Sequence, residues 1–429
     1  MRKILVRVLR YVLKKLAQAT RRRYKPAVIG ITGSVGKTST KEALYAVLGQ
    51  WRKVRGSQGS FNNEIGFPLT ILGSYSDTSG GVFFWAKVIF LGLARLIFKR
   101  PYPEILILEY GVGKPGDIDY LLSIAVPNIA VVTVIGETPV HVEFYKGPAQ
   151  VTEEKTKLVS SLPKNGLAVL NYDDEAVFSM SEKTEARVVT YGFHEGADIR
   201  ITGFKNQSHD YEPIGIAFNL EEGANFAPIE IKGAFGKGQA YAVAAVSAVG
   251  LIFGIDLAKI SSLLSFYKPL PGRGRLIRGI KSAYIIDDSY NSSPLAMEEA
   301  LATLGDLKAR RKLAVLGDMS ELGQYTASSH ERVGCLAAGV AHLLVTVGAK
   351  AKFIAEGARK ANFPAENILE FDSTEEAESE IQKLLKPGDL ILIKGSQVMR
   401  MEKLTFKIME NPLLAKELLP RQYGKWIKS

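Results

Sequence analysis

The sequence predicts an α/β protein, with a central P-loop-type domain on a mostly parallel sheet and a C-terminal Rossmann-like α/β domain. Three observations predict it. Short apolar runs that end in glycine or polar residues alternate with helical stretches along most of the chain, the pattern of strands buried on both faces by crossover helices. The first run leads through a glycine-rich turn, "GITGSVGKTST" at 30–40, into a helical stretch. The alternation breaks at "KPLPGRGRL", 268–276, whose Pro, Gly and Arg read as a linker, and then restarts.

Residues 1–25 carry ten Lys or Arg and no acid, against a net charge of +11 for all 429 residues. The rest of the chain is therefore near neutral, and no nucleic-acid-binding body is implied. Leu5, Val8, Leu9, Val12, Leu13 and Leu16 share one helical face, with Lys3, Arg7, Arg10 and Lys14 opposite. Arginines interrupt every apolar run, so there is no signal-peptide core. Two readings stand for this basic amphipathic helix: it lies on an anionic membrane surface, or it packs on its own domain. A mitochondrial transit peptide fits less well, since the segment has no serine. The single cysteine, Cys335, allows no internal disulfide and suits a reducing, cytoplasmic setting.

The central domain is expected over 26–268. "PAVIGITGSVGKTSTKEALYAVLGQW" reads as strand, loop and helix. "EILILEYGVG", "NIAVVTVIG" and "GLAVLNYDD" read as further strands, with a helix over 148–162. Inside this domain, 82–100, "VFFWAKVIFLGLARLIFKR", is apolar almost all round apart from Lys87 and Arg95 before its basic end. It reads as a buried core helix, or as an interfacial helix that cooperates with the leader; as a membrane span it is short and carries two charges. The C-terminal domain, 269–429, has strands at "AYIIDD", "KLAVLGD", "HLLVTVG" and "DLILIKG".

The glycine turn departs from the usual P-loop, where a glycine stands five residues before the Gly-Lys pair. Here that position is Ile31, and the glycines are Gly30 and Gly33. Gly33 and Gly36 still let the chain aim the N–H groups of Ser34, Val35 and the following helix, Ser39 included, at the phosphates of ATP. Lys37 adds a charge for the terminal phosphates, and the Thr38 hydroxyl is placed to bind Mg²⁺. Glu109 ends one strand, and His141 follows another in "ETPVHVEF". Each alone is an ordinary surface residue. On adjacent strand ends beside a phosphate loop they become candidate metal ligands.

The form T-G-x-x-G-K-T-S resembles the Mur ligase family, the ATP-dependent amide ligases of peptidoglycan synthesis. The resemblance runs from residue 26 through almost the whole chain. "SFNNEIGFPLTIL" (60–72), "IIDDSYNSSP" (285–294), "VLGDMSELG" followed by His330, and "LILIKGSQVMRME" (390–402) are similar, in order, to stretches of the member that adds D-alanyl-D-alanine to a UDP-muramoyl-tripeptide. The resemblance implies a ligase that works through an acyl phosphate, with muramoyl-peptide and dipeptide substrates, acting as a monomer. It implies ATP and two Mg²⁺ ions, the metals held by Thr38, Glu109, His141 and a carbamylated Lys155. Lys37, Glu109, His141 and Lys155 are then the catalytic set. Gln239 is expected at the adenine, Asp288 at the ribose and Arg275 at the phosphates, with Arg273 the alternative. Asn62, Asn63, Asn291 and Lys394 are expected on the substrate side. Without the resemblance, Lys155 in "TEEKTKL" reads as a solvated helix lysine.

Three departures from the family pattern stand out. "GAFGKGQA" replaces G-x-H-N-x-x-N-A, so Phe235 and Gly236 stand for His and Asn, and Gln239 for the second Asn. Lys157 replaces a glutamate. Where the resembled ligase has an N-terminal UDP-binding domain, only the basic helix is expected here; an enzyme held at the inner membrane surface is one way to accommodate that. Two other readings stay open: the same chemistry on a polyglutamate or folate-type chain, and a P-loop NTPase that couples hydrolysis to assembly at a membrane.

Overall fold

The computed structural model describes residues 2–422 apart from 58, 60, 76–79 and 266, so Ser60 and the side chain of Lys3 lie outside the described residues. Two sheets carry the chain. The first has nine strands: β1 (Ala27–Thr32), β2 (Val54–Gly56), β3 (Ile105–Glu109), β4 (Ile129–Val132), β5 (Leu167–Asn171), β6 (Arg187–Gly192), β7 (Ile199–His209), β8 (Glu212–Glu222) and β9 (Asn225–Lys232). Their order is β2-β3-β1-β4-β5-β6-β7-β8-β9. β1 runs between β3 and β4, parallel to both, and Ile31 pairs with Glu109 on one side and Val131 on the other. Residues of β3, β4 and β5 are buried throughout, as strands covered on both faces must be. The loops after β1, β3 and β4 therefore open side by side at one edge of the sheet, where ligands of such folds bind.

β7, β8 and β9 form an antiparallel meander that the alternating α/β reading does not separate. Its signal is present. β9, "NFAPIEIK", alternates exposed and buried residues from Phe226 onward, the period of a sheet with one wet face. Asp210 and Tyr211, with φ of 45° and 69°, make the two-residue hairpin turn between β7 and β8.

The second sheet has six strands: β10 (Arg275–Arg278), β11 (Tyr284–Asp288), β12 (Lys312–Gly317), β13 (Leu343–Val347), β14 (Ile368–Phe371) and β15 (Leu390–Lys394). Their order is β10-β11-β15-β12-β13-β14, parallel except for the β10–β11 pair. The Rossmann-like expectation thus holds. The two bodies share an apolar cluster in which Val142, Val151 and Phe235 join Met297, Leu301 and Met319. Phe235, standing where the family pattern has His, is a core residue of this junction.

α1 (Arg2–Tyr24) precedes β1, and α2 (Lys37–Leu48) follows it; α3 (Gly66–Leu72) and α4 (Val82–Ile97) lie before β3. The C-terminal half of α1 buries Leu13, Leu16, Ala17 and Thr20, packing on α3 and α4. Arg10 pairs with Glu64 at 2.5 Å, and Gln18 donates to the Ser123 carbonyl at 2.6 Å. The leader is therefore a packed helix along its second half. Its first half is open: Ile4, Leu5, Val8 and Tyr11 are exposed.

α4 corrects the reading of 82–100 as a buried core helix. Only Val88 and Gly92 are buried, while Phe83, Phe90 and Ile97 are 93%, 69% and 69% exposed. The reason is its position: one stripe meets α1, where Gly92 lets Leu16 approach, and its outer face is left open. Among the described residues no helix is long and apolar enough to cross a membrane.

Candidate active site

The loop between β1 and α2 turns on Gly33 and Gly36, with φ of 137° and 91°. Gly33 has no substitute, because a Cβ there would stand 1.9 Å from Thr133 Oγ1. The Ser34 and Val35 N–H groups donate to the Val134 carbonyl at 2.7 and 3.1 Å. They pin the loop to the chain after β4, which corrects the expectation that they are aimed at phosphate. The donors left for an anion are those of the first turn of α2, on Lys37, Thr38 and Ser39, which have no acceptor within the helix.

Two lysines converge on this loop, and a third lies behind it at Glu109. Lys37 Nζ donates to the carbonyls of Gly33 and Ser34 at 2.6 and 3.2 Å. Lys155, from the helix Pro148–Ser160, donates to the same Gly33 carbonyl at 2.9 Å. Lys41, one turn along α2, bonds the carbonyls of Ser57 and Gly59 at 2.8 and 2.7 Å and lies 3.3 Å from Glu109. Burial holds Lys37 down to about 8, with Glu109 opposing and Arg273 adding to the effect. Burial, reinforced by the charge of Lys37, puts Lys155 well below the ordinary lysine range. Such crowding of cations is relieved by a polyanion.

Lys155 is fully buried, so the pattern reading of a solvated lysine is overturned. Lys157 points elsewhere, to Asp119 and Glu154 at 2.6 and 2.8 Å, and does not stand in for the family's glutamate beside the loop. Lys41 was missed by the sequence reading. Its only signal is its place four residues after Lys37, on the same helical face.

Glu109 is buried, and neither of its carboxylate oxygens has a hydrogen-bond partner. Its counter-charge is Lys41. Such an orphaned carboxylate suits a cation. His141, at φ 69°, reaches across to the second body, where its Nδ1 meets Glu321 Oε2 at 2.5 Å. Thr38, Glu109 and His141 line one cavity of about 530 Å³, together with Lys37, Asn62, Asn63 and Asn291. Lys155 is not on its wall and meets the loop at Gly33. Among the described residues no three His, Cys, Asp or Glu side chains gather as a metal cluster. Glu109, His141 and Thr38 are a short donor set of the kind that water and phosphate oxygens complete around Mg²⁺.

A second cavity opens on the other side of the loop. It is lined by Ser34, Val35, Ser39, Gln239, Arg273, Asp288 and Lys394, among others. Lys394 is buried and braces this wall, bonding Asp288 at 2.6 Å and the Asn291 carbonyl at 3.0 Å. Gln239 is engaged at both ends of its amide: Nε2 donates to the Arg273 carbonyl at 3.1 Å, and Oε1 accepts from Tyr267 at 2.8 Å. Asn63 Oδ1 accepts the N–H groups of Ile65 and Gly66, capping α3. Asn62 packs on Gly111, where a Cβ would clash with it.

Arg275 is a correction. It turns to the Glu417 carbonyl at 2.8 Å and lines neither cavity, because its pairing in β10 directs it away from the loop. Arg273 lines both cavities. Its guanidinium lies 4.3 Å over the Tyr290 ring, and its buried Nε has no partner. His330 is a core histidine that accepts the Met319 N–H at 2.9 Å, and burial lowers its pKa.

A phosphate loop opening between two packed α/β bodies places the chain among nucleotide-dependent enzymes. Residues 31–83 and 91–250 match the Mur ligase middle domain, and 272–397 match the Mur ligase glutamate ligase domain. The chain is 31% identical to the UDP-N-acetylmuramoyl-tripeptide–D-alanyl-D-alanine ligase of Bacillus subtilis (strain 168), over 94% of this chain and 80% of that one. It is 28% identical to the ligase of the same name in Escherichia coli (strain K12), over 95% and 82%. The MurF ligase from Thermotoga maritima in complex with ADP superposes with a TM-score of 0.75 at 25% identity, over 93% of this chain and 83% of that one. The chain belongs to the Mur ligase family. It is an ATP-dependent ligase that forms ADP and phosphate.

The two arginines give a direct check. Arg273→Met is expected to lower ATP turnover on the order of 100-fold, the usual loss when a charge-stabilising donor is removed, and Arg275→Met to leave it near wild type. Initial rates of phosphate release decide; the reverse ranking would restore Arg275 to the phosphates.

Proposed function

We propose that the enzyme joins D-alanyl-D-alanine to a UDP-muramoyl-tripeptide in peptidoglycan synthesis. The observation that carries this is the convergence of Lys37, Lys155 and Glu109 on the phosphate loop, in a chain similar along 94% of its length to a ligase of that name. The tripeptide carboxylate attacks the γ-phosphorus of ATP; the bond to the β–γ bridging oxygen breaks, and ADP departs with the electron pair. The dipeptide amine then attacks the acyl carbon of the acyl phosphate, the carbon–oxygen bond breaks, and phosphate leaves as the nitrogen loses a proton. In the first step one anion attacks another, so the site must supply positive charge. Lys37, Arg273 and the first-turn N–H groups of α2 do so. Asn62 and Asn291 face the same cavity as Glu109 and serve the peptide side.

The orphaned oxygens of Glu109 fit Mg²⁺, which Thr38, Glu109 and His141 would hold, and which when bound neutralises charge on the phosphates. A second ion would use a carbamylated Lys155. Carbamylation needs a neutral amine: the nitrogen bonds the carbon of CO₂ and releases a proton. Burial next to Lys37 shifts Lys155 toward that neutral form. The change would replace a buried amine by an anion beside the loop.

Phosphate release is expected only with ATP, UDP-muramoyl-tripeptide and D-alanyl-D-alanine together. Lys155→Ala should lose at least about 100-fold in that rate, and bicarbonate should not restore Lys155→Arg. Equal release without the peptides would remove the proposed substrates; full activity of Lys155→Ala would remove the carbamate.

The open faces of α1 and α4 support a place for the enzyme on the inner, anionic membrane surface. Phe83, Phe90 and Ile97 of α4 and Ile4, Leu5 and Val8 of α1 are exposed on helices that touch and whose own charges are all basic. Each basic residue near such a surface contributes about 1 kcal/mol, and the apolar side chains add an anchor. Co-sedimentation with vesicles containing anionic lipid is expected at low salt and to fall at high salt. The double variant Phe83→Ser, Phe90→Ser should bind at least about tenfold more weakly. A wild-type chain that stays in the supernatant with anionic vesicles would end this reading.

A further inference from the structure

Residues at the start of one helix and along another line the slot on the Ser34 side of the loop. One wall is Gly236 and Gly238, at the start of the helix Lys237–Ile252; the other is Ala296 and Ala300 of the helix Pro294–Asp306. Glycine and alanine walls leave room for a flat ring and give it apolar faces. Polar recognition must then come from the slot's edge. The amide expected there, that of Gln239, is bonded at both ends to Arg273 and Tyr267.

Glu299 is at that edge. It lies between Ala296 and Ala300 in sequence and lines the cavity. Its carboxylate reaches across the slot, so that a Cβ on Gly238 would stand 3.5 Å from Glu299 Oε2. The neighbouring Glu298 is paired with Arg332 at 2.9 Å. Among the described residues the Glu299 carboxylate has no hydrogen bond and no ion pair. Burial pushes its carboxyl up to about 7, with Lys394 opposing and Asp288 adding to the rise. An acceptor half removed from water without a donor is costly, and a ligand that brings the donor offsets that cost.

We propose that Glu299 is a specificity-determining residue of the nucleotide site, accepting a hydrogen bond from the exocyclic amino group of adenine. The inference rests on the ATP-binding reading of the loop. It assigns the base contact to the second body. The body that carries the phosphate loop then holds the phosphates and the other body reads the base, so a correct nucleotide ties the two together.

The test is calorimetric binding of ADP and of its analogue lacking the amino group, purine riboside diphosphate, to wild type, Glu299→Ala and Glu299→Met. Met fills the space without accepting. Wild type should prefer ADP by about tenfold or more, the range for a hydrogen bond to a charged group. Both variants should bind the two nucleotides equally, with ADP weakened to the level of the analogue. A preference for ADP that survives in Glu299→Met overturns the assignment. Equal binding of the two nucleotides by wild type overturns it as well, while leaving the nucleotide site in place. A wild type that binds neither nucleotide would overturn the nucleotide reading and Glu299 with it.

Discussion

Two lysine amines, those of Lys37 and the buried Lys155, share one carbonyl oxygen, that of Gly33, and the rest of the site is arranged around this crowding. Gly33 can present that carbonyl because it lacks a side chain where Thr133 packs. β1 holds the loop in place because it runs between β3 and β4. The helix Pro148–Ser160 brings Lys155 to the loop, and α2 brings Lys37. Like charges held this close, out of water, disfavour each other's charged form. The depressed lysines are the signature of a site built for an anion that is more highly charged than any the chain supplies.

The loop also separates two tasks. Glu109, Thr38, His141 and the asparagines lie in one cavity, and the slot with Asp288 and Glu299 lies in the other. Arg273 touches both. The stretch after β11 that forms part of each wall is held from behind. Arg421, fully buried, donates to the carbonyls of Ser289 and Tyr290 at 2.7 and 2.9 Å and is paired with Glu402. Lys394 grips the same stretch from the sheet. A segment secured by two buried cations keeps its shape while the bodies on either side of it adjust to ligands.

Much of this was legible in the residues. The strand, glycine turn and helix at 27–48, the strand ending in Glu109 and the restart after the linker all follow from local pattern, and the structure places them as read. What was not legible depends on direction and burial. Lys155 has acidic neighbours and a polar segment, so its pattern says solvent; only the packing of its helix against the loop buries it. Arg273 and Arg275 are two residues apart in a linker, and the pairing of β10 with β11 decides which one lines the cavities beside the loop. Ser34 and Val35 sit in a phosphate-binding motif, yet their N–H groups are taken by Val134, a partner a hundred residues away in sequence. α4 has the composition of a core helix, and only its place on the outside of α1 shows that its apolar face is open.

That the site lowers the pKa of Lys37 until phosphate arrives can be measured by proton linkage. ADP is titrated calorimetrically at pH 8, without CO₂, in two buffers of different ionisation enthalpy. At that pH Lys37, held down to about 8, is only about half charged. Bound phosphates favour the ammonium and raise its pKa, so binding should draw protons from the buffer, and Lys37→Met should draw fewer. Binding with no proton exchange, or with net release, would contradict the account.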